Sequence, residues 1–215
     1  MKSLLLKDLY NIGHNSKVMV LVLLILAVFL GPTSEWIGYA FPSAIMCAMM
    51  VITTFAFDDH SQWNKYAVVM PISRKDIVAA KFIVLTIFSA IGAVSGFVIS
   101  LIGGTVTKSI DFSGDKITEL LIMTGVAFVM GVFFMSNAIP LVIRYGAEKG
   151  RLFTIISCVI PIGIYYITDK LLVMLGIQLS EQQVVGLSCC APFLLLIWSY
   201  IMYRVSCSIL EKKDL

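Results

Sequence analysis

Between Phe57 and Lys81 the chain reads FDDHSQWNKYAVVMPISRKDIVAAK, its longest polar interruption. Asp58 and Asp59 are adjacent carboxylates, a residue type that general acid–base chemistry uses. That chemistry also needs a nucleophile or a ligand set, and none accompanies the pair. The only histidines, His14 and His60, are far apart in sequence, and no Cys–His spacing of a zinc site occurs. No G-x-x-x-x-G-K-[ST] phosphate loop is present, so nucleotide chemistry would have to come from another chain. Cys47, Cys158, Cys189, Cys190 and Cys207 lie in or beside apolar segments, where cysteine behaves as a small hydrophobe. Catalysis is thus poorly supported. A solvated connector with Trp63 and Tyr66 at the lipid headgroups, or a docking surface for another protein, accounts for the same residues.

The elements around this stretch are those of a membrane protein. Of 215 residues, 59% are hydrophobic and 13% charged, with a mean hydropathy of +0.95; soluble domains carry about 25% charged residues. A spanning helix needs roughly 20 mostly apolar residues. Six segments meet or approach that length, at about 18–34, 36–57, 78–106, 118–143, 152–168 and 184–204. Their apolar cores, such as Val18–Leu30 and Phe82–Val106, contain no charge. This argues against an intramembrane enzyme or a proton-coupled transporter, which keep ionisable groups at membrane depth. LGPTSEW after the first apolar run is a poor cleavage site, so that run reads as a retained helix.

Six spans put both termini on one side. That side then holds 13 of the 16 Lys and Arg residues, whereas the acids divide 7 to 6. The basic excess marks the cytoplasmic face, so both termini, the 58–77 loop and the loop near 144–151 are expected in the cytoplasm.

Within the loop, Trp63, Tyr66, Ala67 and Met70 recur at helical spacing, and Pro71 ends that helix. Ser73 is a good N-cap for the next helix, with Asp76 placed as in a capping box. Gly92 and Gly96 form a G-x-x-x-G that permits close helix approach, within this chain or to another. Asn137, the most polar residue well inside a span, reads as a hydrogen-bonding tie between helices.

LLLKDLYN at residues 4–11 and FAFDDHSQWNKYAVVMPISRKDIVAAK at 55–81 resemble the short membrane subunits of bacterial type-2 ABC exporters. Asp58, Trp63, Lys65, Tyr66, Met70, Pro71, Ser73 and Arg74 carry the likeness residue by residue. The resemblance implies an all-α permease with six transmembrane helices, an N-terminal amphipathic interfacial helix at about 2–15 and a cytoplasmic coupling helix between spans 2 and 3. It implies that Asp58, Asp59, His60, Trp63, Lys65, Tyr66, Met70 and Arg74 meet an ATPase subunit that binds ATP and Mg. It also implies two ATPases and two permeases, identical or related, in a bacterial cell membrane. This chain would have no enzymatic activity and would couple hydrolysis to export of an amphipathic or hydrophobic cargo such as a peptide. The alternative is a non-transporting membrane assembly or regulatory protein.

Overall fold

The computed structural model describes residues 2–30, 36–67, 73–107, 114–150 and 181–212, with isolated positions 152, 155, 159, 167 and 170. The described residues are helical apart from turns. In chain order they form α1 (Lys2–Leu30), a 3-10 turn (Trp36–Tyr39), α2 (Ala40–Ala48), α3 (Met50–His60), α4 (Trp63–Ala67), α5 (Arg74–Val106), α6 (Gly114–Tyr145) and α7 (Glu181–Lys212).

Four stretches are long and apolar enough to cross a membrane: Trp36–His60, Arg74–Val106, Lys116–Tyr145 and Phe193–Lys212. Counting α1, which is bent by 57° between Ser3–Gly13 and Ser16–Leu30, makes five. Six were expected; the segment at 152–168 lies largely outside the described residues. The bend in α1 has a local cause. Ser16 Oγ donates to the Gly13 carbonyl at 2.7 Å, and a Gly followed by a back-bonding Ser is a common place for a helix to kink. It divides α1 into a short arm, Ser3–Gly13, and a longer apolar arm, Ser16–Leu30.

The bundle is built around α5, which packs on α2 and α6, while α6 also packs on α7. The α2–α5 contact explains the G-x-x-x-G. A Cβ at Gly92 would lie 2.6 Å from Cys47 Cβ, and one at Gly96 would lie 3.0 Å from Ala40 Cα. The close approach is therefore made to α2 of the same chain. It brings Ser43 Oγ to 2.8 Å from the Gly92 carbonyl, to which it donates, and to 3.1 Å from Ser95 Oγ. Asn137 joins α6 to α7: its Nδ2 donates to the Phe133 carbonyl, and its Oδ1 accepts from Trp198 Nε1 at 2.9 Å. Beside Asn137 and Trp198, the hydroxyls of the adjacent residues Ser136 and Ser199 pair at 3.0 Å.

The largest apolar cluster lies at one end of the bundle. It joins Ile12 of α1, Val78 and Leu85 of α5, Val142 and Ile143 of α6, and Cys207 and Leu210 of α7. The short arm of α1, the start of α5 and the end of α7 thus meet at the same end as α4.

Candidate functional site

Buried charge is concentrated at that end. The short arm of α1 presents Leu4, Asp8 and Ile12 at i, i+4 and i+8, all 4% exposed or less, while Leu6 and Tyr10 face outward. Asp8 therefore sits on the buried face of an otherwise apolar stripe. Asp58 closes α3 at 5% exposure, and Lys81 lies two turns into α5 at 2%.

These three groups meet. Lys81 Nζ donates to Asp58 Oδ2 at 2.6 Å, to Thr54 Oγ1 at 2.9 Å and to Asp8 Oδ1 at 3.1 Å. All three donors of an ammonium are satisfied. The Thr54 hydroxyl in turn donates a hydrogen bond to the Val51 carbonyl at 2.7 Å. A second cation, Lys7, donates to Asp58 Oδ1 at 2.5 Å and lies 3.4 Å from Asp8 Oδ1. Its ammonium also stands 4.4 Å above the Trp63 ring, and Lys81 stands 4.8 Å from the Phe55 ring.

Two cations and two carboxylates cancel, and every charged atom has a partner, the condition under which charge is tolerated out of water. The space beside them, between Phe55, Asp59, Val78 and Leu210, is about 30 Å³, room for about one water and no substrate. Lys81 Nζ and both carboxylates are engaged with one another and with Thr54 and Lys7. The geometry makes a mechanical tie between α1, α3 and α5 rather than a reaction centre.

Two further ties join the same end. Asp59 Oδ2 accepts from the Ala147 backbone N–H at 2.9 Å, capping a helical turn over 147–150 that begins after Gly146, whose φ is +83°. Arg74 Nη1 donates to the carbonyls of Leu210 at 2.8 Å and Glu211 at 2.9 Å, the last turn of α7. Those carbonyls lack helical partners and form the negative end of the helix, so a guanidinium suits them. Ser73, extended at φ −75° and ψ 145°, accepts from the Asp76 N–H at 3.1 Å and caps α5.

The residues expected at a partner surface therefore separate. Asp58 is turned inward and its carboxylate is consumed by Lys7 and Lys81. Asp59 and Arg74 are engaged with 147–150 and α7. Trp63 is half-buried under Lys7, and its Nε1 is buried with no acceptor among the described residues. His60 is exposed, and Tyr66 is 63% exposed. Ala67 is buried at 2%, so the periodic face drawn through Trp63, Tyr66 and Ala67 divides, with Tyr66 outside. Gln62 makes this possible: its φ of 50° turns the chain sharply from α3 into α4. The Lys65 side chain and Met70 lie outside the described residues.

Sequence reasoning missed Lys7, Asp8, Thr54 and Lys81. Asp8 at helical spacing between Leu4 and Ile12 was the available signal, because a charge on an apolar face requires a buried partner. Among the described residues no cluster of His, Cys, Asp and Glu is arranged to hold a metal ion.

Residues 3–211 match a family model described as ABC-2 family transporter protein. No curated protein and no solved structure matches the chain.

Proposed function

Because the chain belongs to the ABC-2 family of transporter membrane proteins, matched over residues 3–211, we propose that α4 and the turn before it are the coupling element through which a separate ATPase moves the spans. The observation that carries this reading is the closed charge network. α4 is only Trp63–Ala67, too short to be stable alone. It is held from behind by Trp63 under Lys7, and Lys7 is bound through Asp58 to Lys81 of α5. A push on α4 is thereby shared among α1, α3 and α5, as a rigid-body switch requires.

The outward residues His60 and Tyr66 form the face offered to the ATPase, with Tyr66 as its aromatic anchor. Asp58, Asp59 and Arg74 act behind that face by fixing its position. The end that carries this joint is rich in basic residues and is read as cytoplasmic. ATP and Mg belong to the partner, in a complex of two permeases and two ATPases. The cargo is amphipathic or hydrophobic, an exported peptide being the leading class, because the spans offer apolar and hydroxyl side chains.

The test is affinity purification of the tagged chain from its native membrane and identification of the ATP-binding subunits that copurify. Tyr66→Ala is expected to release the ATPase while leaving the permease's thermal midpoint unchanged. Retention of a full complement of ATPase by Tyr66→Ala would sink the assignment of that face.

A further inference from the structure

Two hollows on the α5–α7 side share one side chain, Tyr203. The first is a cleft of about 320 Å³ between α5, α6 and α7, walled by groups such as Phe82, Ile83, Phe128, Val132 and Leu196. The second, about 170 Å³, lies next to it toward the basic end and is lined by Lys75, Tyr203, Arg204, Cys207, Ser208 and Glu211. Tyr203 stands edge-on to Phe82, with ring centroids 5.6 Å apart, at the junction. A third hollow, about 420 Å³, continues around the end of α7 with Arg144, Ser208, Ile209 and Lys212.

The sequence of α7 builds this gradient. Arg204, Ser208 and Lys212 recur every four residues and so share a helix face. Lys75 from α5 flanks them on one side and Arg144 from α6 on the other. Four cations thus surround Ser208, against two carboxylates, Glu211 in the hollow and Asp76 facing Tyr203. Glu211 lies 3.7 Å from Lys75, with both side chains more than half exposed, so the pair is weak. Among the described residues neither Arg204 nor Lys212 has an acidic partner.

We propose that this face binds an anionic phospholipid, with its phosphate between Lys75, Arg204 and Ser208 and an acyl chain in the cleft beyond Tyr203. Three observations converge on that chemistry. The cleft is almost wholly apolar, so water fills it poorly and a hydrocarbon chain fills it well. The cations stand together at the basic end of α5, α6 and α7, and basic pockets between helices take acidic headgroups. Lysine, arginine and hydroxyl together supply the charge-assisted donors a phosphate takes. The two parts are adjacent through a single tyrosine, the arrangement an amphiphile with a charged head requires. A soluble anion has no use for the cleft, and a neutral amphiphile has no use for the cations.

Native mass spectrometry of the purified full-length chain tests this, using dioleoyl phosphatidylglycerol, dioleoyl phosphatidylcholine and glycerol phosphate as probes. The wild type is expected to retain phosphatidylglycerol over phosphatidylcholine. Lys75→Gln with Arg204→Gln should weaken phosphatidylglycerol by about 25-fold, at about 5-fold per cation, and erase the preference. Both side chains are exposed or lie in the open hollow, so this variant should fold. Thr86→Trp, which fills the cleft and leaves every charge in place, should lower retention of both lipids. Equal retention of the two lipids by the wild type overturns the proposal, as does an unchanged preference in the double variant. Glycerol phosphate competing as well as the whole lipid would overturn it too, because the cleft would then contribute nothing.

Discussion

Lys81→Met is the sharpest perturbation available. The ammonium is 2% exposed and makes three hydrogen bonds, two of them to carboxylates. Methionine fills most of the same volume, so the change is chiefly in charge. It leaves Asp8 and Asp58, both 5% exposed or less, sharing Lys7 alone. Removing one partner from a buried pair costs about 3–5 kcal/mol, because the charge left behind is uncompensated. At about 2–4 °C per kcal/mol for a chain of this size, the thermal midpoint should fall by about 6–20 °C. The internal control is Lys75→Ala, which breaks an ion pair between side chains 69% and 51% exposed; such pairs contribute about 0–1 kcal/mol. Adding Asp8→Asn to Lys81→Met restores charge balance through Lys7 and Asp58 and should recover much of the loss. The assay is thermal unfolding in detergent followed by size-exclusion chromatography with fluorescence detection. If Lys81→Met shifts the midpoint no further than Lys75→Ala, the network is not the tie described here.

Gly92→Leu should force α2 from α5 at a cost of about 1–3 kcal/mol; a disulfide between Ser43→Cys and Ser95→Cys, in a chain stripped of native cysteines, should form without that change and fail with it. Asp59→Ala should remove about 1 kcal/mol of capping from the turn after Gly146, read as faster proteolysis at Lys149, and unaltered cleavage kinetics would argue against the cap. Gln62→Gly should relieve a left-handed backbone strained by about 1 kcal/mol and raise the thermal midpoint by about 2–4 °C. A fall instead would mean that the glutamine side chain, not its backbone, holds the turn.

Local features of this molecule were legible in the sequence because their causes are local. Ser73 and Asp76 are three residues apart, and the cap they form needs nothing else. Apolar runs set helix positions, and small residues at Gly92 and Gly96 announced a close approach, although the choice of α2 as the partner was not written in them. The charge network was hidden by distance and by averaging. Asp8 and Lys81 are 73 residues apart, and each stands near the end of an apolar run, where hydropathy counts it as wet. Burial comes from the α1 bend and from three elements converging, neither of which a single-segment reading contains. The same convergence turned Asp58 inward and split Trp63 from Tyr66, since α4 has only five residues and Gln62 sets its direction.

The network also fixes an order of events during synthesis. Asp8 is made before Lys81, which follows only after two apolar segments have emerged. Until then the short arm of α1 carries a carboxylate on its apolar face with nothing to neutralise it but the neighbouring Lys7. That arm cannot complete its docking until α5 has been made, so an element made before α5 locks only after it. A perturbation of that arm would therefore be felt in assembly yield before any effect on the finished protein.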